Sequence, residues 1–545
     1  MPALDEGRAG RSGGWRAARP FLAWGGGPAA AAVLLFWCYL RLSQTSSVNA
    51  DGSGIALQGW AMLHGNVLLS GWWLADVSFY AFETPVDALV EAVHGLNADV
   101  VHIAAALIYM LLVLTSALLA RSKARGAEGL TRALIAAGVL VAPVLALGTR
   151  VLILSPDHTG VAVPILLALL LMDRARERWW AALAVCALLI WAQLDDPIAT
   201  FAAAVPIALV CLARAAVVGL LRRRIAWYDV MLGVAAAASY ELTHLIVSAI
   251  RAHGGFTTHS LQTVAKLTPY ADWAGQIRAT GENLLILFGA DFYEQPSAIR
   301  AAIAYLHFAG LALAFAGMAA GIVGLVRGAD RVTQILTVAA VVTLVAGSIG
   351  TKMIAIAGAH EIAIAAPFGA VLAGRTIGPW VLRHRLPKIT LLPVLGVVLA
   401  CYLAALGYGA SWSPARAQTQ GLADWLVAHH LTNGLGRYWA ANSTTLASGG
   451  KARVAAVSGS GRYPRPWVTD SSWYDPAQTY ANFVVALPGN TGNAFAYSES
   501  SVQHVFGKPD QEYQYGPYVI MVWNKNLLLQ VRPLTLLQVE GAFGS

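Results

Sequence analysis

The sequence carries little charge. Asp, Glu, Lys and Arg make up 12% of its 545 residues, whereas hydrophobic residues make up 57%. Soluble domains usually carry about 25% charged residues, so this shortage excludes an ordinary water-soluble protein and indicates a chain buried mostly in lipid. The formal net charge of +8 does not indicate a nucleic-acid partner. The Lys and Arg residues lie in the loops between apolar segments rather than in one basic patch.

Cysteine is also scarce, and several nucleotide and metal motifs are missing. The four cysteines, Cys38, Cys186, Cys211 and Cys401, all lie in apolar segments, and their spacing does not match a metal site. Because none follows Cys401, the C-terminal region has no disulfide. The sequence contains no Walker loop, Rossmann glycine pattern or zinc-protease motif, which argues against an ATP-driven reaction.

Long apolar runs occupy most of the chain up to residue 409. About 17 to 25 apolar residues are needed for a helix to cross a bilayer, and about eleven segments fit this description. The sequence therefore predicts an all-α polytopic membrane protein with about 11 transmembrane helices and a small C-terminal domain. The predicted spans lie near 28–41, 99–120, 131–149, 151–172, 179–194, 197–216, 228–249, 299–326, 332–350, 353–374 and 389–409.

The distribution of Lys and Arg predicts the orientation of these spans. The segments that would be cytoplasmic carry 21 of the 37 basic residues, whereas the outer loops up to Lys352 carry seven. Positive charge accumulates inside, so residues 1–27 form a predicted cytoplasmic tail and the C-terminus is outside. We therefore expect a multi-pass protein of the plasma (inner) membrane. A cleaved signal ending at Val48-Asn49-Ala50 is the alternative for the first apolar run, and it leaves the other orientations unchanged.

The composition changes after the last span. Residues 28–409 form the predicted transmembrane domain, whereas residues 410–545 have short apolar runs and are rich in Ser, Thr, Asn, Gly, Tyr and Trp. A segment of ~135 residues with this composition is typical of a folded, water-exposed domain. We predict a small extracytoplasmic α/β domain containing the helix Leu422–Leu431 and the strands Ala452–Val457, Asn482–Leu487 and Tyr518–Trp523.

The first outer loop, residues 42–98, is the most unusual polar segment of the chain. It contains five acids and no Lys or Arg. A long loop of this charge is typical of the extracytoplasmic side, where its first acid can act on the outer surface. The acids are Asp51, Asp76, Glu83, Asp87 and Glu91.

Ionisable residues within spans are functional candidates, because each costs about 2.5 to 3.5 kcal/mol on insertion. Asp157 and His158 lie where an outer turn would enter the fourth span. They either cap the start of the helix or bring a carboxylate and an imidazole together for a metal ion or a proton. Adjacent residues do not share a helix face, which weakens the hypothesis of a common metal site.

Of three other polar groups, two have two interpretations each and the third has one. Glu241 and His244 share a helix face, as a hydrogen-bonded pair inside the bundle or as part of a proton or substrate path. His360 and Glu361 leave the same choice open. Asp195-Asp196-Pro197 predicts a solvated turn, because Asp before Pro favours one.

The layout of the chain resembles the GT-C fold of membrane glycosyltransferases. It combines a short cytoplasmic tail, one span, a long acidic outer loop, many further spans and an outer C-terminal domain. The single Asp51 differs from the Asp-Glu pair of protein O-mannosyltransferases and from the Asp-x-Asp of some oligosaccharyltransferases. Several motifs are similar to those of uncharacterised actinobacterial members: Asn49-Ala50-Asp51-Gly52, Met62-Leu63-His64-Gly65, Ser70-Gly71-Trp72, Glu83-Thr84-Pro85, Leu431 to Trp439 and Phe506-Gly507-Lys508-Pro509.

This resemblance implies that a sugar is moved from a polyprenyl-phosphate donor to an extracytoplasmic glycan, lipid or protein. Asp51 would be the general base, and direct displacement would invert the anomeric carbon. Glu83, Asp157 and His158 are the further catalytic candidates, which would orient the acceptor, hold a divalent ion or do neither. If Mg²⁺ or Mn²⁺ is used, Asp51 and Asp157 are its candidate ligands.

The departing phosphate would need positive charge on the outer side. Five cations stand outside against the general trend, and they either bind the phosphate or anchor helices at headgroup level. They are Arg150, Arg251, Lys266, Arg278 and Lys352.

Two other classes of function remain open. In one, the protein is a transporter or export component in which buried Glu241 and His244 form a path. In the other, it is a non-catalytic envelope scaffold whose C-terminal domain binds a glycan or a protein.

Overall fold

The computed structural model describes most of the chain. The described residues form a bundle of helices that ends at Ala410, followed by a mixed sheet with helices on its faces. They are residues 27–145, 148, 150–154, 158–175, 177–259, 266–293, 295–350, 355–383, 388–415, 419–458, 461–487 and 498–534.

In the part of the chain that the structure describes, fourteen α-helices precede the sheet. They are α1 Gly27–Ser43, α2 Ala50–Leu63, α3 Glu83–His94, α4 Asp99–Arg121, α5 Gly126–Leu140, α6 Ala162–Arg174, α7 Trp179–Asp195, α8 Val205–Arg222, α9 Trp227–Ala252, α10 Trp273–Leu287, α11 Ala298–Arg327, α12 Arg331–Ile349, α13 Ala365–Arg383 and α14 Lys388–Ala410. Short π-helical turns occur at Arg150–Leu154 and Thr200–Ala204, and 3₁₀ turns at Tyr270–Asp272 and Ala355–Ile362.

The predicted polytopic fold is confirmed. Within the described residues, 7 helical segments are long and apolar enough to cross a membrane, and α1 and α7 contain shorter apolar helices. The predicted spans near 131–149 and 151–172 correspond to α5 and α6, which are shorter, with 15 and 13 residues. A helix the length of α6 rises about 20 Å, less than the ~30 Å of hydrocarbon in a bilayer. Part of the chain before α6 forms the π-helical turn at residues 150–154 instead.

Small residues allow the helices of the bundle to approach closely. A Cβ at Gly317 of α11 would lie 2.4 Å from the backbone nitrogen of Ala373 in α13. A Cβ at Gly374 of α13 would lie 2.5 Å from the carbonyl oxygen of Arg132 in α5. Close backbone approach through glycine is how membrane helices associate without a hydrophobic driving force between them.

A buried cation joins four helices at the end of the bundle that the basic residues place inside. Arg375 of α13 is 7% exposed. Its guanidinium donates to Asp330 at 2.8 Å, to Asp173 at 3.1 Å and to the carbonyl oxygen of Leu119 at 2.8 Å. The positive charge of Arg375 is paired and hydrogen-bonded, so it can be buried at low cost.

The C-terminal region contains a six-stranded sheet. The strand order is β4-β3-β2-β6-β8-β7, in which β2 is parallel to both β3 and β6 while the other pairs are antiparallel. The strands are β2 Asn433–Gly436, β3 Arg453–Ser458, β4 Tyr463–Pro464, β6 Phe483–Ala486, β7 Gln511–Tyr515 and β8 Tyr518–Val522, and the helices are α15 Gln420–Ala428, α16 Tyr438–Ala447 and α17 Glu499–Phe506. Two 3₁₀ turns lie at Ser471–Tyr474 and Leu527–Gln530.

Both faces of this sheet are covered, which explains the unbroken apolar character of its central strands. Residues of β3 that face opposite sides of the sheet, such as Val454 and Val457, belong to different apolar clusters. Strand β2 has glycines instead of large side chains. A Cβ at Gly434 would lie 2.3 Å from the ring of Phe483, so the neighbouring strand fills this space.

The first outer loop is packed between the bundle and the sheet. Its short strand β1, Trp72–Trp73, pairs antiparallel with β5, Thr469–Asp470. Helix α2 of the loop packs against α16 near the sheet, and a Cβ at Gly54 would lie 2.3 Å from Val468 Cγ1. This contact fixes the position of α2, which carries Asp51.

We predict that Gly317→Ala destabilises the protein. The added methyl group would overlap the backbone of α13, and overpacking of this kind typically costs about 1 to 3 kcal/mol. The measurement is the midpoint of thermal unfolding in detergent. Gly396→Ala in α14 is the matched control, because nothing lies within 4 Å of a Cβ at that position. Equal midpoints for the two variants would contradict the close packing of α11 and α13.

Candidate functional site

Asp51 lies in the first turn of α2, where the helix meets the C-terminal region. The Asn49 side chain caps the helix by accepting a hydrogen bond of 2.8 Å from the backbone nitrogen of Gly52. The Asp51 side chain is half-buried, and the Tyr438 hydroxyl donates a hydrogen bond to its Oδ1. A carboxylate is favoured at the start of a helix by the helix dipole. Asp51 is therefore held in a defined position yet accessible from outside.

Tyr438 brings a cation near to Asp51. The guanidinium carbon of Arg465 lies 5.2 Å from the centre of the Tyr438 ring. The next residues of that segment are attached to the outer loops: His259 Nε2 donates to the carbonyl oxygen of Pro466, and the His259 ring lies 5.0 Å from the ring of Trp467. An aromatic ring and an arginine at this distance attract each other through a cation–π interaction.

His259 is buried beside this arginine. Its side chain is 3% exposed, and burial lowers its pKa, with the positive charge of Arg465 acting in the same direction. The hydrogen bond to Pro466 and the negative charge of Asp76 oppose the decrease. The charges of Asp76 and Arg465 therefore both act on the His259 imidazole. This imidazole also binds the segment that contains Arg465 and holds it against the outer loop.

Helix α3 buries three of the five loop acids on one face. Glu83, Asp87 and Glu91 follow each other at intervals of four residues and are 2%, 5% and 2% exposed. Burial raises the pKa of all three, and raises that of Glu91 to about 9. A Cβ at Gly59 of α2 would lie 3.1 Å from Glu91 Oε2. Burial therefore favours the uncharged form of all three carboxyl groups, which pack against α2.

Glu83 forms a pair with Asp195 from the end of α7. Burial and then the negative charge of Asp195 raise the pKa of Glu83 well above its usual range. Asp195 Oδ1 accepts hydrogen bonds from the backbone nitrogens of Ala81 at 3.2 Å and Phe82 at 2.8 Å. Burial and the neighbouring acid therefore both favour the protonated form of Glu83.

The neighbouring Asp196 begins a second chain of buried polar side chains. His158 Nδ1 lies 2.5 Å from Asp196 Oδ2, and His158 Nε2 lies 3.5 Å from Glu361 Oε2. Glu361 Oε1 is 3.3 Å from His360 Nε2. The structure therefore joins Asp196, His158, Glu361 and His360, in that order, into one network. Asp157 lies outside the described residues.

The prediction of a solvated turn at Asp195-Asp196-Pro197 is wrong. Asp195 and Asp196 are 0% and 1% exposed. They are buried because Asp195 binds backbone nitrogens of the outer loop, while Asp196 pairs with His158. Two acids that end a long apolar helix were the signal for such a role.

A small cavity lies beside α2. Its volume is about 30 Å³, and it is lined mostly by apolar residues of α2, α4 and the turn at residues 152–154. Its polar lining comes from Glu83, Asp87 and Thr159. Gly52, which follows Asp51 in the chain, and Gly160 also line it. A Cβ at Gly160 would lie 1.8 Å from Glu83 Oε1, so this glycine leaves room for the Glu83 side chain.

Three of the five predicted phosphate-binding cations have described side chains. Arg251, Lys266 and Arg278 are all exposed. Arg251 donates to Thr258 Oγ1 at 2.7 Å, and Arg278 donates to Glu282, one helical turn away, at 2.9 Å. Lys352 lies outside the described residues, as does the side chain of Arg150.

The path predicted for a transporter is wrong in its main feature. Glu241 and His244 are exposed on the surface of α9 rather than buried in the bundle. The described contact of His244 is with the ring of Tyr240, 4.5 Å away on the same helix. Their three-residue spacing correctly gives a shared face, but that face is directed outwards.

The described residues include no group of three or more His, Cys, Asp or Glu that could hold a metal ion. Asp51 accepts from the Tyr438 hydroxyl, and Glu83 is protonated, so neither offers a ready set of anionic ligands. The described residues therefore do not fit a divalent ion at Asp51 by themselves.

Sequence reasoning missed the two C-terminal residues of the site. Tyr438 lies within the quoted segment Leu431 to Trp439, and Arg465 is one of the nine basic residues after the last span. Neither has a local motif, because the fold brings Tyr438 to Asp51 across 387 positions, and Arg465 packs on the Tyr438 ring. A cation between two prolines, Pro464 and Pro466, was the available signal for a fixed segment.

Comparison with known proteins gives a fold but no close relative. No family model matches the sequence, and no curated protein sequence matches it. The chain is similar to the crystal structure of ArnT from Cupriavidus metallidurans bound to undecaprenyl phosphate, with 13% identity over 94% of this chain and 100% of that one, at a TM-score of 0.51. The apo state of that protein gives 14% identity, 95% and 100% coverage, and a TM-score of 0.50.

An Archaeoglobus fulgidus oligosaccharyltransferase complex with Zn and sulfate is also similar. Its identity is 12% over 90% of this chain and 73% of that one, with a TM-score of 0.48. The fold assignment depends on the two ArnT structures. They confirm the predicted GT-C-like fold, and at this level of identity they establish the fold alone.

Proposed function

We propose that the protein is an integral membrane glycosyltransferase that moves a sugar from a polyprenyl-phosphate donor to an extracytoplasmic acceptor. The observation that carries this proposal is the position of Asp51. It stands at the start of α2, is half-buried, accepts a hydrogen bond from Tyr438 and precedes Gly52, which lines a small cavity. The GT-C fold supports the same class of reaction, and the ArnT neighbour was crystallised with undecaprenyl phosphate.

The proposed step is a direct displacement. Asp51 takes the proton of an acceptor hydroxyl as the acceptor oxygen forms a bond to the anomeric carbon. The bond from that carbon to the phosphate oxygen breaks, and its electron pair leaves with the phosphate to give a polyprenyl phosphate. Attack opposite to the leaving group inverts the configuration of the sugar. The acceptor is a glycan, a lipid or a protein.

Glu83 supports this step as a neutral group in the proposal. It lies beside Asp195, which binds the backbone at Ala81 and Phe82. In the proposal Glu83 forms the wall of the cavity near Gly160 and orients the acceptor. His158, two residues before Gly160, is held by Asp196 and Glu361.

A divalent ion such as Mg²⁺ or Mn²⁺ remains a separate hypothesis. Asp51 and Asp157 would be its ligands, and further ligands would have to come from outside the described residues. Such an ion would stabilise negative charge on the departing phosphate.

We predict that Asp51→Asn abolishes the modification of cell-envelope glycan that the wild-type protein catalyses in our proposal. Loss of a general base typically lowers a rate about 10² to 10⁴-fold. Asp99→Asn is the matched control, because Asp99 also lies in the first turn of a helix on this loop. Glu241→Gln should be silent, since Glu241 is exposed on α9. Glycan composition is the measurement, and a silent Asp51→Asn with an inactive Glu241→Gln would favour transport instead.

We predict that Glu83→Gln changes the pH dependence of stability. The folded wild-type protein keeps a proton on Glu83 that the unfolded chain releases above about pH 4.3, so wild-type stability falls as the pH rises. The glutamine variant lacks this proton, so its midpoint of thermal unfolding should rise relative to wild type between pH 5 and the raised pKa of Glu83. The exposed Glu512→Gln should show no such trend. A pH-independent difference for Glu83→Gln would contradict a protonated Glu83.

We predict that the C-terminal sheet is outside the cell and the loop between α8 and α9 inside. Lys451 in the sheet region and Arg224 in that loop are both exposed cations. In a background without Cys401, Lys451→Cys should react with a membrane-impermeant maleimide in intact cells. Arg224→Cys should react after permeabilisation only. The reverse pattern would overturn the orientation.

A further inference from the structure

Arg465 is separated from Asp51 by a single side chain. The Tyr438 hydroxyl donates to Asp51, and the guanidinium of Arg465 lies over the ring of the same tyrosine. Tyr438 thus has the proposed base at its polar end and a permanent positive charge against its ring. Few charges in the outer half of the protein are so placed, since Arg251 and Arg278 are exposed and bind partners near them in sequence.

The position of Arg465 is fixed from several sides. Its backbone nitrogen donates to the carbonyl oxygen of Ala456 in β3 at 2.9 Å. Pro466 accepts from His259, and Trp467 packs on the His259 ring. These contacts involve both the sheet and the outer loop, so the arginine is held where the two parts of the protein meet. A cation held in advance stabilises developing charge without reorganisation during the reaction.

The chemistry of a phosphate leaving group matches this arrangement. Phosphate acquires negative charge as its bond to the sugar breaks, and a guanidinium offers a planar fork of N–H donors that fits phosphate oxygens. A guanidinium held by a ring interaction still presents N–H groups at its edges. Arg465 therefore places a positive charge beside the tyrosine that binds the proposed base.

We propose that Arg465 binds the phosphate of the lipid-linked donor, so that the C-terminal sheet region completes the active site. This inference rests on the proposed glycosyltransferase function. His259 is a positioning residue, because it acts on the phosphate through the Arg465 segment.

The test is equilibrium binding of undecaprenyl phosphate to the purified full-length protein. Arg465→Ala should weaken binding at least about tenfold, the equivalent of one lost hydrogen bond to a charged group. Arg465→Lys should recover part of this loss, because it keeps the charge without the fork. Tyr438→Phe should retain binding and lower the transfer rate, since it keeps the ring but loses the hydroxyl on Asp51.

Arg453→Ala is the matched control. Arg453 belongs to the same sheet and lies over an aromatic ring at a similar distance, 5.3 Å from the centre of Trp473. It should leave undecaprenyl phosphate binding unchanged. Equal binding by wild type and Arg465→Ala, or equal loss in Arg465→Ala and Arg453→Ala, would overturn the role of Arg465 and leave the proposed function intact. Absence of binding to the wild-type protein would contradict both proposals.

Discussion

The hydrogen bond from Tyr438 to Asp51 joins the two halves of the molecule at its candidate site. Asp51 begins α2 in the first outer loop, and Tyr438 begins α16 beside the C-terminal sheet. Helix contacts at Gly54, the strand pair β1–β5 and the bond from His259 to Pro466 all hold these halves in the same relation. The chemistry of Asp51 therefore depends on correct docking of the C-terminal region, although the acid itself lies near the membrane.

The acidic loop is accommodated by protonation and pairing rather than by nearby cations. Glu83, Asp87 and Glu91 are buried on one face of α3, and burial raises the pKa of each of them. Asp196 is paired with His158 instead. Asp51 differs from the α3 acids because it is half-exposed and lies at the start of a helix, where negative charge is favoured. One loop thus contains structural acids without charge and one acid suited to act as a base.

Apolar runs and the spacing of Lys and Arg were enough to predict the polytopic bundle, because each helix buries a continuous stretch of local sequence. The strands at β3, β6 and β8 were predictable for the same reason. Strand β2 was not, since its glycines are required by Phe483 and Val454 on neighbouring strands. Asp51 was predictable as a candidate from its loop, whereas Tyr438, Arg465 and Asp196 were not. Their roles arise from contacts between distant segments, which no local pattern records.

The central claim is that Asp51 activates an acceptor for transfer from a lipid-phosphate donor. The most direct measurement offers the purified protein a panel of labelled polyprenyl-phosphate sugars together with cell-envelope acceptors, and follows both the label and the configuration of the new bond. The account predicts that one donor is consumed by the wild-type protein, with inversion at the anomeric carbon, and not by Asp51→Asn. Equal consumption by both proteins, or transfer with retention, would contradict it.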